Sequence, residues 1–185
     1  QNISKGIASW KRVKEILNTE PELKDGDFDG ETKVHGKIEF RDVSFAFPGT
    51  GQMVLKHINL MIHPGETVAI MGATGCGKTA LVSLIPRFYD TSEGTVLVDD
   101  VDVKSYAQND LREKIAVSLQ KSELFSTSIR ENISWGAPGA SDEEICAAAG
   151  IAQADDFIQK TSNGYDTLVA ERGTSLSGGQ KQRIS

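Results

Sequence analysis

Residues 72–79 form a glycine-rich stretch, GATGCGKT. It fits the pattern G-x-x-x-x-G-K-[ST] at every fixed position, with an apolar run before it and a helical pattern after it. Glycines let the backbone wrap around a phosphate, and successive N–H groups of such a loop point inward. The N-terminus of the following helix adds partial positive charge. The chain is therefore predicted to bind a nucleoside triphosphate.

Two side chains of this loop are expected to contact the nucleotide directly. Lys78 is expected to reach the β- and γ-phosphates, and the Thr79 hydroxyl is expected to bind Mg²⁺. The remaining residues assigned to the nucleotide site are Gly72, Ala73, Thr74, Gly75, Cys76, Gly77 and Ala80. The alternative is a glycine turn that only joins a strand to a helix, and the order of strand, motif and helix argues against it.

A second glycine segment, LSGGQ, occupies residues 176–180. It places Ser177 before two glycines at a predicted helix start. A serine cap and a glycine-lined helix N-terminus are typical of an anion site. The chain therefore contains two candidate phosphate-binding segments.

Composition limits the possible functions. The length of 185 residues suits one domain, and the net charge of −6 argues against a nucleic-acid surface. Cys76 and Cys146 lie far apart in sequence, which favours reduced thiols in a cytosolic protein. The sequence contains no signal peptide and no apolar run long enough to span a membrane.

Periodicity predicts a helix followed by strands. Apolar residues recur at helical spacing over residues 1–20, and the polar stretch that follows is typical of a linker. The runs KIEF and VSFAF alternate with a change of parity, which predicts a bulge near Arg41–Asp42. The runs ETVAIM and KIAVSLQ predict further strands, the first one buried on both faces.

Turn and cap signals complete the prediction. GTVLVDDVDV predicts a hairpin that turns at Asp99–Asp100. The pairs Ser128 with Glu131 and Ser141 with Glu144 each fit a capping box in a helical region.

The two glycine segments together resemble the ATP-binding cassette (ABC) superfamily over nearly the whole chain. FRDVSFAFPG is similar to that family's adenine-binding strand, with Phe47 as the stacking aromatic. Gln120 in SLQKSELFSTSIRENI resembles the Q-loop glutamine, which would bind Mg²⁺ together with Thr79. TLVAERGTSLSGGQKQR resembles the exporter-type signature segment. The resemblance implies a P-loop NTPase fold of the ABC type, with a mixed sheet, an antiparallel β subdomain and a helical subdomain at about 121–185.

The same resemblance implies a domain order and partners. Residues 1–20 would be a connector helix from an upstream transmembrane domain, 21–36 a linker, and 37–185 part of a nucleotide-binding domain. Cassettes of this family pair head to tail, so the signature would close on the ATP of a partner chain. The signature residues are Leu176, Ser177, Gly178, Gly179 and Gln180.

The resemblance is closest to bacterial half-transporters that work as unlike pairs, although a homodimer stays open. The transmembrane domain would be contacted through coupling helices, no nucleic acid would be bound, and the location would be the cytoplasmic face of a membrane. The full-length pair would hydrolyse MgATP to drive solute export.

Three departures from the family pattern affect the expected activity. Phe47 stands where tyrosine is usual, and Ala80 stands where a second hydroxyl residue is common. The family's second carboxylate strand and catalytic glutamate have no counterpart among the 185 residues and are expected downstream of Ser185. We therefore expect no catalytic residue within this chain and no turnover by the chain alone.

Other classes stay as alternatives. Soluble ABC-type ATPases of DNA repair or chromosome maintenance carry coiled coils or zinc modules between the two segments, and neither pattern is found here. A nucleotide sensor that binds ATP without hydrolysis would share all of these sequence features. An import-type subunit is disfavoured by the helix that precedes the first strand.

Overall fold

The structure, a computed structural model, describes residues 2–28, 35–119 and 122–185. The chain divides into two units, Gln1–Ala116 and Val117–Ser185. Gln120, the predicted second Mg²⁺ ligand, lies outside the described residues.

The first unit begins with helix α1, Asn2–Leu17, which confirms the predicted N-terminal helix. Its large apolar side chains are exposed to solvent; they are Ile7, Trp10, Val13, Ile16 and Leu17. Over the described ranges, no helix is both long enough and apolar enough to span a bilayer.

A four-stranded antiparallel sheet follows, in the order β2-β1-β3-β4. Its strands are β1 (Ile38–Ala46), β2 (Met53–Ile62), β3 (Glu93–Val98) and β4 (Val101–Asp102). The register of β1 against β2 shifts between Phe40 and Val43, and Asp42 has a φ of 50°. The predicted bulge near Arg41–Asp42 is therefore confirmed.

The hairpin between β3 and β4 turns at the predicted residues. Asp99 and Asp100 have φ values of 49° and 68°, and two successive left-handed residues match the twist of the flanking strands. The Asp99 carboxylate also accepts hydrogen bonds from the backbone N–H groups of His35, Gly36 and Lys37 at 2.8–3.0 Å. These bonds tie the entry of β1 to the hairpin turn.

Two predicted strands do not form. The ETVAIM segment and residues 115–119 of KIAVSLQ have no regular secondary structure. Instead of being buried, Val68 and Ile70 are exposed, and Met71 is 90% exposed. A strand is stabilised by ladder hydrogen bonds to its neighbours, and none of the four described strands pairs with either segment. The prediction that ETVAIM is buried on both faces is therefore wrong for this structure.

The core of the first unit lies between the sheet and helix α2 (Lys78–Leu84), with helix α3 (Gln108–Glu113) beside it. Phe40, Phe45 and Val96 fill it from the sheet, and Leu84 fills it from α2. The predicted helix after the glycine loop is thus confirmed, and it ends before Pro86, which cannot continue a helix.

Residues 23–28, here called the connector strap, lie along residues 104–108. Gly26 N–H donates to the Tyr106 carbonyl at 3.1 Å, and Phe28 N–H donates to the Ser105 carbonyl at 2.9 Å. The segment between α1 and the sheet is therefore attached to the first unit by backbone hydrogen bonds.

The second unit is helical. Its helices are α4 (Ile129–Ile133), α5 (Asp142–Ile151), α6 (Asp155–Ile158) and α7 (Gly178–Ile184). Both predicted capping boxes are present, at Ser128 with Glu131 and at Ser141 with Glu144. Helices α5 and α6 are separate, because Gln153 between them adopts a φ of 56° that breaks the helical run.

Candidate nucleotide-binding site

The glycine loop leads directly into α2, so the elements predicted for a phosphate-binding loop are present on its C-terminal side. Gly75 and Gly77 adopt φ values of 83° and 92°, which only glycine adopts readily. A Cβ atom on Gly77 would lie 2.8 Å from Leu55 Cδ2 and 3.2 Å from the Val54 carbonyl oxygen. Two independent reasons therefore favour glycine at position 77: the backbone conformation and the close approach to β2.

Lys78 is folded back over the loop that precedes it. Its Nζ donates to the carbonyl oxygens of Gly72 at 2.7 Å and Ala73 at 2.9 Å, and lies 3.6 Å from Cys76 Sγ. Charge-assisted bonds to a phosphate are stronger than bonds to neutral carbonyls. The ammonium group is therefore held at the loop by partners that a phosphate could replace.

The other loop side chains differ in exposure. Cys76 is an exposed free thiol, and its Sγ lies 2.6 Å from the place a Cβ on Gly72 would take. Thr79 is exposed at the start of α2, where a cation could reach its hydroxyl. Ala80 is only 2% exposed and packs in the core of the first unit, so its side chain faces away from solvent.

Phe47 follows the end of β1 and belongs to a group of three aromatic rings. Its centroid lies 4.9 Å from that of Phe45 and 5.3 Å from that of Tyr89, with interplanar angles of 77° and 86°. Phe47 is half-buried, and its carbonyl accepts both the N–H and the hydroxyl of Thr50. The ring thus packs on the core and keeps a solvent-accessible part, which is compatible with stacking on a base.

The signature segment forms the start of α7 in the second unit. Ser177 Oγ accepts the N–H of Gln180 at 3.3 Å, and Ser177 N–H donates to Gln180 Oε1 at 2.9 Å, which completes a capping box. Leu176 packs against the apolar core of this unit.

Gly178 and Gly179 stand in open space. A Cβ added at either position would meet no described atom within 4 Å. Packing within the described chain therefore gives no reason for glycine at these two positions, whereas close approach of a ligand to the backbone would.

Sequence reasoning missed two features near this site. Tyr89 contacts Phe47, and Arg87, only 3% exposed, donates to the carbonyls of Lys24 and Lys104. Both residues come from the short run PRFYD after α2, where an arginine between a proline and two aromatics was the available signal.

Comparisons with known proteins all point to the same family. The pattern of the family described as ABC transporter matches residues 55–185. An ATP-dependent lipid A-core flippase of Syntrophus aciditrophicus is 45% identical over 184 residues, covering 99% of this chain and 30% of that protein. ABC transporter B family member 19 of Arabidopsis thaliana is 45% identical over 185 residues, covering 98% of this chain and 15% of that protein. The chain thus spans less than a third of these two relatives.

A solved structure shows the same fold. The structure of a bacterial Atm1-family ABC exporter with ATP bound matches with a TM-score of 0.90 and 36% identity, over 98% of this chain and 32% of that one. The predicted fold class, an ABC-type ATPase domain with an antiparallel β part and a helical part, is confirmed.

Proposed function

The chain belongs to the ABC transporter family, and from this premise we propose that it is the ATP-binding part of an exporter subunit. The observation that carries the proposal is the glycine loop before α2, with its two left-handed glycines and the Lys78 ammonium held over it. The named relatives, a flippase and an exporter, support export over import.

In this proposal each part of MgATP has its own contacts. The backbone of residues 72–77 surrounds the phosphates, and Lys78 forms charge-assisted hydrogen bonds to the β- and γ-phosphates. Phe47 stacks on adenine. Thr79 binds Mg²⁺, with Gln120 as the second protein ligand.

The signature would serve a different ATP molecule. Two cassettes would pair head to tail, so that Ser177, Gly178 and Gly179 of one chain close on the γ-phosphate held by the other chain's loop. The open space around both glycines supports this role. The partner is a second cassette, identical or not.

Hydrolysis would belong to the full-length pair. Neither glycine segment supplies a general base that orients water, so the 185-residue chain alone would bind MgATP without turnover. In the complete subunit, at the cytoplasmic face of a membrane, closure and hydrolysis would drive the transmembrane domain through its coupling helices.

The proposal is tested by calorimetric titration of the chain with MgATP. Lys78→Ala removes charge-assisted hydrogen bonds, each worth about 1.5–3 kcal/mol, and should lower the affinity at least about tenfold. Lys56→Ala, which removes an exposed lysine from β2, is the matched control and should bind like the wild type. Equal affinities of the wild type and Lys78→Ala would refute the assignment.

A further inference from the structure

We infer that Tyr89 is a positioning residue for the nucleobase, because it fixes the Phe47 ring relative to the phosphate-binding loop. The inference rests on the proposed function, in which Phe47 stacks on adenine. It assigns a role to a residue in the segment that follows α2, outside both glycine motifs.

The three rings form a closed set. Tyr89 contacts Phe47 edge-on at 5.3 Å between centroids, and it contacts Phe45 at 5.6 Å. Phe45 and Phe47 also contact each other, at 4.9 Å. Among the aromatic contacts of the described residues, Phe47 makes two, one to Phe45 and one to Tyr89.

The two neighbours of Phe47 do not constrain it equally. Phe45 lies two residues earlier, at 1% exposure in β1, so it fixes Phe47 only relative to its own strand. Tyr89 comes from the segment that follows α2. It is therefore the aromatic contact that links Phe47 to a different element.

The backbone that carries Tyr89 is bound to the end of α2. Phe88 N–H donates to the Ser83 carbonyl at 3.0 Å. The buried Arg87 guanidinium pairs with Asp90 at 2.7 Å, and Arg112 donates to the Arg87 carbonyl at 3.0 Å. Tyr89 is thus held between two hydrogen-bonded residues.

Helix α2 begins with Lys78 and Thr79, the proposed phosphate and Mg²⁺ ligands. The ring of Tyr89 therefore connects the stacking residue to the helix that holds the triphosphate ligands. This connection sets the position of the Phe47 ring, on which the base would stack, relative to the phosphates.

A groove lies beside two of the three rings, Phe45 and Tyr89. It has a volume of about 570 Å³ and is lined by Phe45, Pro48, Tyr89 and the strap residue Leu23, among others. Because β1 ends at Ala46, the backbone of Phe47 lies outside the strand, and its carbonyl is bound by Thr50 in the turn that follows. Shortening Tyr89 would enlarge this groove and remove the edge-on contact that links Phe47 to the segment after α2.

The experiment compares MgATP with inorganic tripolyphosphate, which has the phosphates but no base. We expect Tyr89→Leu to lower the affinity for MgATP about fivefold and to leave the affinity for tripolyphosphate within about twofold, as loss of an ordered stacking partner requires. Tyr89→Phe keeps the ring and should bind both ligands like the wild type. Phe88→Leu is the matched control, because Phe88 is an aromatic neighbour whose described ring contact is to Arg112 and not to Phe47.

A double variant shows whether Tyr89 acts through Phe47. If it does, Tyr89→Leu should add nothing to the loss caused by Phe47→Leu, because coupled residues are not additive. Thermal melting checks that each variant is folded, and Tyr89→Met replaces Tyr89→Leu should the latter not fold.

Three results would overturn the inference. An equal loss of both ligands would show that Tyr89 only supports the fold. Unchanged MgATP affinity in Tyr89→Leu, with a loss in Phe47→Leu, would show that Phe47 needs no such support. Unchanged MgATP affinity in Phe47→Leu would remove the base role of Phe47, while the separate Lys78→Ala result would still decide whether the loop binds phosphate.

Discussion

Glu131 shows how a single side chain fixes a helix start in the second unit. Its carboxylate accepts the backbone N–H of Ser128 at 2.9 Å and the Ser128 hydroxyl at 3.1 Å. These bonds, the backbone bond first, favour the ionised form and lower the pKa of Glu131 below its ordinary value. Gln180 makes the equivalent backbone bond to Ser177 as a neutral amide.

This difference predicts a pH-dependent stability. Because the folded-state pKa of Glu131 is lowered, its contribution is fully present above the unfolded-state pKa and is lost as the pH falls through the folded-state value. Glu131→Gln keeps the geometry seen at Gln180 but removes the charge. We expect the variant to unfold at lower urea concentration than the wild type at pH 7, and the difference to shrink as the pH is lowered towards 3.

Glu143→Gln is the control for that experiment. It removes a charge from the first turn of α5 without touching a capping box, so it measures the helix-dipole contribution alone. A gap between the wild type and Glu131→Gln that stays constant from pH 7 to pH 3 would contradict the assignment.

Among the structural elements, the connector strap is the segment that a single substitution should destabilise most. A Cβ on Gly26 would lie 2.1 Å from the Ser105 carbonyl oxygen. The backbone would have to shift to relieve this clash, which costs stability. The same strap receives a bond from the buried Arg87 at the Lys24 carbonyl.

Gly26→Ala should therefore detach the strap and lower the free energy of unfolding by about 1–3 kcal/mol, the usual cost of overpacking. Urea unfolding gives the energy. Hydrogen exchange should show faster exchange at the N–H groups of Phe28 and Ala107, which bond across the strap. Gly136→Ala, where an added Cβ meets nothing within 4 Å, should be nearly neutral. Equal protection of the strap in both variants would contradict its proposed attachment.

The elements show what sequence could and could not predict. Local signals succeeded: the hairpin at Asp99–Asp100, the bulge at Asp42 and both capping boxes depend on residues close in sequence. The ETVAIM strand was predicted wrongly, because apolar composition does not reveal whether a pairing strand is present.

The site divides in the same way. The conformation of the glycine loop before α2 follows from its own glycines, and the Ser177 cap follows from its neighbour Gln180. Phe47 and Tyr89 are in contact although they lie 42 positions apart in the sequence. No local sequence pattern predicts such a contact. The packing of Gly26 against Ser105 could not be predicted either, because these residues are also far apart in the sequence.

At the scale of the whole molecule, the two units carry different halves of the proposed ATP contacts. The glycine loop belongs to Gln1–Ala116, and the signature belongs to Val117–Ser185. Our central proposal is that these halves serve two ATP molecules in a head-to-tail pair. A substitution in the signature should then affect the partner's site and spare the chain's own loop.

Ser177 is the position at which to test this, because it caps α7 next to two glycines whose surroundings are open. Ser177→Ala removes the cap, at a cost of about 1 kcal/mol to the helix, without adding bulk. Ser177→Arg removes the same cap and adds a long side chain that would prevent close approach of a γ-phosphate. The pair of variants separates the loss of the cap from the blocked contact.

The deciding measurement is photolabelling with an azido-ATP of full-length pairs whose two subunits differ in size, so that each site is scored separately. With Ser177→Arg in this chain, we predict reduced labelling at the partner's glycine loop, labelling of this chain's own loop within about twofold of wild type, and a much smaller effect from Ser177→Ala. Loss of labelling at this chain's own loop, with the partner's site intact, would show that both segments grip one ATP and would contradict the head-to-tail proposal.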